Sequence, residues 1–72
     1  MQRKPVESSQ LVSIGYDPAT ETLEVEFKGG AVWQYYHFPE EMWLEFEAAP
    51  SQGKYFHQQI RDRFTPFGVR VE

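Results

Sequence analysis

The sequence predicts a single α+β domain: a three-stranded antiparallel meander followed by two helices packed on one face of the sheet. Three observations carry that expectation. Apolar residues alternate with polar ones from Val12 to Lys28, turn-forming residues interrupt the alternation, and after Pro39 the apolar spacing changes to three and four. With 72 residues the chain buries only ~60% of its unfolded surface on folding, so its core has to be economical. Aromatic side chains, 17% of the sequence, suit that need because each buries roughly 150 to 250 Å².

The first strand follows a polar lead-in, with Val12, Ile14 and Tyr16 on one face. The second carries Leu23, Val25 and Phe27 on one face and Thr22, Glu24, Glu26 and Lys28 on the other. Asp17-Pro18-Ala19-Thr20 reads as a type I turn, Asp at its first position and Pro preset for the second. A tight Pro18-Ala19 loop pairs Ile14 with Leu23 and Val12 with Val25.

The third strand follows Gly29-Gly30, and its register decides the role of the aromatic block Trp33-Gln34-Tyr35-Tyr36. An even-numbered loop puts Val32, Gln34 and Tyr36 on the Leu23/Val25/Phe27 face. A three-residue loop, Lys28-Gly29-Gly30, pairs Phe27 with Ala31, Val25 with Trp33 and Leu23 with Tyr35, and a one-residue slip exchanges the faces. The three-residue loop is favoured, because it keeps Gln34 out of the core and puts Gly30 where a left-handed bulge residue is needed. Trp33 and Tyr35 then lie under the helices, and Trp33→Ala is expected to unfold the domain; in the other register they are exposed aromatics able to stack on unpaired bases. Tyr36 becomes an exposed aromatic.

Pro39 suits the first position of a helix, and Glu40 and Glu41 meet its positive end. Met42, Trp43, Phe46 and Ala49 continue the apolar stripe from Pro39, while Glu40, Glu41 and Glu45 face outward. Pro50 stops this helix and Ser51 caps a second, whose buried stripe is Gly53, Phe56, Ile60 and Phe64. Gly53 costs about 1 kcal/mol against Ala in a helix, so close packing or an irregular first turn is expected there. After Pro66, residues 65–72 read as a short edge strand or a tail, and residues 6–64 as the core of one domain spanning 1–72.

The function classes that the composition disfavours follow from a few counts. No cysteine is present, so disulfides, thiol nucleophiles and cysteine-held metals are excluded. Neither His37 nor His57 is spaced with acidic residues as a metal or general-base site requires, and no metal, cofactor or enzymatic activity is expected. Met-Gln-Arg-Lys-Pro is not followed by an apolar segment, and no apolar run approaches ~18 residues, so no signal peptide or membrane span is expected and the cytoplasm is the expected location. Residues 1–49 hold three basic and nine acidic side chains, residues 50–72 four basic and two acidic. A polyanion is therefore attracted only to the C-terminal third.

Within that third, Lys54, His57, Gln58 and Arg61 fall at helical spacing on one face. That face is either a solvated surface or an anion site. Lys54, His57 and Arg61, with Tyr36 as a stacking aromatic, are the candidate nucleic-acid contacts.

Several landmarks occur together in order: Ser8-Ser9, Ile14-Gly15-Tyr16-Asp17, Leu23-x-Val25-x-Phe27, Gly29-Gly30, Phe38-Pro39 and Ala49-Pro50-Ser51-x-Gly53-Lys54-Tyr55-Phe56. In this the chain resembles the KTSC domain, known as a C-terminal appendage of some lysyl-tRNA synthetases and as a stand-alone small bacterial protein. The family's central Tyr-x-Tyr is Trp33-Gln34-Tyr35 here, which puts in doubt any role needing the first phenol hydroxyl. The motif residues Trp33, Tyr35, Pro39, Pro50, Ser51, Gly53, Phe56 and Ile60 are read as structural. The resemblance implies a non-enzymatic binding module with RNA, as tRNA or a single strand, for a ligand. The alternative is a protein-interaction module using the acidic strand face at Glu24 and Glu26, or an aromatic patch.

Overall fold

The computed structural model describes residues 1–72. Its sheet has five strands rather than three: β1 (Lys4–Pro5), β2 (Leu11–Asp17), β3 (Thr22–Phe27), β4 (Val32–Tyr35) and β5 (Gly68–Arg70). They lie in that spatial order, each antiparallel to the next. The central meander is the expected one. The short strand after Pro66 forms, and a two-residue β1 adds an edge that alternation could not reveal, since it is too short to show a period.

The register of β4 is that of the three-residue loop: Leu23 faces Tyr35 and Val25 faces Trp33. The Phe27 N–H donates to the Ala31 carbonyl at 2.8 Å, and Gly30 adopts φ +100°, a left-handed conformation open to glycine at little cost. The pairing of β2 with β3 corrects the sequence reading. Asp17 pairs with Thr22, so the loop runs from Pro18 to Glu21, and Ile14 faces Val25 rather than Leu23. Here the Asp17 carboxylate accepts the Ala19 N–H at 3.0 Å, which favours the wider loop. A β-bulge between Leu11 and Ser13 then turns Leu11 into the core and leaves Val12, expected inside, 37% exposed.

Helix α1 (Glu40–Ala48) begins one residue later than expected: Pro39 is its N-cap, in extended backbone, and its carbonyl accepts from Met42 N–H at 3.0 Å. The second helical region is not one regular helix. It runs as α2 (Gln52–Tyr55), a π-helical turn at Phe56–Ile60, α3 (Arg61–Phe64) and a 3₁₀ turn at Thr65–Phe67 leading into β5. None of these helices is long and apolar enough to cross a membrane. At the π-turn the Arg61 N–H reaches back to the Phe56 carbonyl, inserting one residue relative to an α-helix. Phe56, Ile60 and Phe64 are all buried, as their spacing predicts.

The core lies between one sheet face and the helices, and joins Leu11, Ile14, Leu23, Val25 and Tyr35 to Phe38, Phe46, Phe56, Ile60 and Phe64. Trp33, expected inside, is only half-buried; it stacks on Tyr35 at a centroid distance of 6.3 Å on the margin of that core. The register is as expected without Trp33 being enclosed: of the two aromatics on that face of β4, Tyr35 packs edge-on against Phe56 in the core and Trp33, opposite Arg70 of the edge strand β5, lies at its margin. Tyr16 is held more tightly, stacked on Trp43 at 5.5 Å and donating its hydroxyl to the Phe38 carbonyl at 2.6 Å.

The opposite sheet face is polar but not free. Glu24, expected in solvent, is 7% exposed and ion-paired to Arg3, and it accepts a hydrogen bond from the Gln34 amide at 2.8 Å. Ser13 accepts from Arg3 at 3.0 Å and donates to Glu26 at 2.9 Å, so the chain of contacts crosses from the lead-in to β4. Burial alone would push the Glu24 carboxyl up. Hydrogen bonds from Gln34 and Arg3, with the Arg3 charge, overcome that and hold it below the ordinary carboxylate value.

Candidate ligand cleft

A cleft of about 340 Å³ opens between the segment Glu7–Gln10 and the start of the second helical region. One wall is a turn made by Ser8, whose Oγ accepts the N–H groups of Gln10 at 3.2 Å and Leu11 at 3.3 Å. Burial of Leu11 anchors that turn to the core. The other wall begins where Pro50 breaks α1 and Ser51, in extended backbone, caps α2 by accepting the Lys54 N–H at 3.3 Å. Gly53, Lys54 and His57 complete it.

Two contacts hold the walls together. The imidazole Nε2 of His57 hydrogen-bonds the Gln10 side-chain oxygen across the opening. Gly53 meets Ser8 so closely that a Cβ there would lie 2.9 Å from the Ser8 Oγ. The expected close packing at Gly53 is therefore found, with its partner identified. Because Ser8 Oγ is pinned by two backbone donors it cannot yield freely, and Gly53→Ala should destabilise the domain by about 1 kcal/mol. An overpacking cost of about 1 to 3 kcal/mol outweighs the gain of about 1 kcal/mol in helix propensity. Thermal denaturation of the variant checks the sign.

Among the candidate contacts, the structure joins Lys54 and His57 and separates the rest. Arg61 does not line the cleft; the π-turn rotates everything after it by about 100°, one residue's worth, and Arg61 ion-pairs with exposed Asp62 at 3.5 Å. Tyr36 is exposed and donates to Gln34 on the polar sheet face. It also sits at the far end of the sheet. Gln10 accepts from the Lys28 N–H just beyond β3, whereas Tyr36 follows the partner of Leu23, and the strand between them spans roughly 16 Å.

Sequence reasoning missed Glu7, Gln10 and the Ser8-Ser9 turn as site residues, because their approach to Gly53 is tertiary. One available signal was that Ser8-Ser9 and Ser51-x-Gly53-Lys54 both belong to the motifs that carry the resemblance. Chemically the cleft offers hydroxyls, an imidazole, one carboxylate and the ammonium of Lys54, and no apolar side chain lines it. Lys4 is tied to Glu47 at 2.8 Å and Arg3 to Glu24, while Lys54 takes part in no ion pair. That arrangement suits a small polar anionic group.

Fold and cleft together define a small α+β domain whose polar recess is built from two separate motifs. The comparisons give it a family. The family model for the KTSC domain matches residues 7–64, and the chain belongs to that family. The crystal structure of a KTSC domain protein from Yersinia pestis superposes with a TM-score of 0.90 at 38% identity, covering 99% of this chain and 97% of that one. A protein of Tsukamurella paurometabola is 41% identical over 61 residues, covering 85% of this chain and 91% of the relative. A lysine–tRNA ligase of Nostoc sp. is 38% identical over 58 residues, which are 81% of this chain and only 10% of the ligase.

Proposed function

We propose that the domain is a non-enzymatic recognition module and that its ligand is RNA, held by a backbone phosphate in the cleft. The observation that carries this reading is the unpaired Lys54 in a recess lined by hydroxyls and amide groups. The occurrence of a similar segment in lysine–tRNA ligases supports RNA as the source of that phosphate. His57 engages an amide rather than a carboxylate or a hydroxyl nucleophile, an arrangement that positions a ring without activating a base.

With one free cation in the cleft and a net charge of −4, binding is weak and salt-sensitive. For a single strand, log K should fall against log salt with a slope of about −0.7 per phosphate neutralised. Lys54→Glu should remove both binding and slope without unfolding the domain. Glu7→Gln, which deletes the one carboxylate of the cleft, should strengthen binding about fivefold, the equivalent of roughly 1 kcal/mol between charges about 4 Å apart in water. Fluorescence anisotropy over a salt series measures both. Unchanged affinity in Lys54→Glu rejects the site.

A second reading, a protein-interaction module, is supported at another place. The acidic strand face is a poor docking surface, since Glu24 is buried and paired. The exposed side chains of Tyr36, Phe67, Val69 and Val71 run along β5 and the end of β4, and they are the surface a protein partner would use.

A further inference from the structure

Lys54 and Ser51 line two recesses, not one. Beside the polar cleft lies a groove of about 310 Å³ lined by Ala49, Pro50, Ser51, Lys54, Tyr55 and Gln58. Resting on the reading of RNA as the ligand, we infer that the two recesses divide one nucleotide between them. The polar cleft takes the phosphate, the Pro50–Tyr55 groove takes an unpaired base, and the preferred ligand is therefore single-stranded.

Chemistry assigns the two halves. The first cleft has no apolar lining, and its one ring, the His57 imidazole, is tied to the Gln10 side chain across the opening, whereas its hydroxyls and Lys54 suit a phosphate. The groove has a proline and an aromatic ring. Tyr55 is a fixed platform: it stacks on Phe46 at 5.4 Å with an interplanar angle of 22°, and its hydroxyl donates to Glu45 at 2.8 Å. Burial, and then that hydrogen bond and the Glu45 charge, push the phenol up to about 12, so the hydroxyl keeps its anchor well into alkaline pH. The Glu45 carboxylate lies at the hydroxyl end of the ring, which leaves Lys54 as the attractive end for phosphate. Gln58 is exposed, and its amide offers both a donor and an acceptor to a base edge. A base inside a duplex is stacked on both faces and paired at its edge, so it cannot enter.

The test compares three RNA probes of equal length by anisotropy at low salt: a pyrimidine single strand, the same sequence in a duplex, and an abasic ribose-phosphate oligomer. The single strand should bind at least about fivefold tighter than either of the others, the lower end of what one base stacked on an aromatic contributes. Tyr55→Leu, which keeps an apolar side chain against Phe46, should erase that preference while leaving abasic binding unchanged. Gln58→Ala, a surface change that keeps the fold, should weaken only the single strand. Equal binding of all three probes to the wild-type domain overturns the base groove while leaving the phosphate site standing. No binding of any probe overturns both.

Discussion

Replacing Phe38 by alanine should unfold the domain or leave it without a cooperative transition. Phe38 has no exposed surface, and its ring lies 4.9 Å from Phe64 and 6.2 Å from Tyr16. Its backbone is equally engaged: the N–H donates to the Glu21 carbonyl at 2.9 Å, and the carbonyl accepts the Tyr16 hydroxyl. The residue thus joins the β2–β3 loop, the entry to α1 and the end of α3. Truncating a buried Phe costs about 3 to 5 kcal/mol. A domain of this size has about 4 to 11 kcal/mol in total, so one substitution removes much of it. Urea denaturation decides the matter, and a loss below about 1 kcal/mol would contradict the packing described.

The second large effect is expected on the other face of the sheet. Arg3→Ala leaves Glu24 buried without its cation, a change that costs about 3 to 5 kcal/mol for a fully enclosed pair. Arg3 keeps 26% of its side chain exposed, so water enters the space it vacates and about 2 to 3 kcal/mol is the expected loss. The pH dependence identifies the cause. The folded-state value of Glu24 is depressed, so its contribution is present above the unfolded carboxylate value of about 4.3 and is lost as pH falls through the lower folded value. The gap between wild type and Arg3→Ala should be largest at neutral pH and shrink towards about pH 3, where Glu24 is protonated in the variant. A gap that does not change with pH would assign the loss to packing instead.

Neither of these groups was equally legible in the sequence. Phe38 could be placed beside a helix start, because Pro39 and the glutamates after it are local signals. Arg3 sits in a lead-in with no periodicity, and its partner Glu24 is 21 residues away. The register of β4 was readable from Gly30, whose positive φ a three-residue loop demands. The β2 register was not, because Asp17-Pro18-Ala19-Thr20 fits a tight turn as well as the Pro18–Glu21 loop, and the bulge that exchanges Leu11 for Val12 leaves no composition mark. For the cleft, the helix side was visible in Ser51, Gly53 and Lys54, and the opposing Ser8 turn was not. Arg61 was misplaced by an argument valid for a regular α-helix. The π-turn at Phe56–Ile60 breaks that regularity, and the spacing of the surface residues carries no trace of it.

The most direct measurement is an amide-resolved NMR titration of the labelled domain with short single-stranded RNA, at low and at physiological salt. The account predicts salt-sensitive shifts confined to Glu7–Gln10 and to Ser51–Gln58, with the far end of the sheet at Tyr36 unmoved. Shifts centred on Tyr36, Phe67 and Val69, or none at low salt, would contradict it.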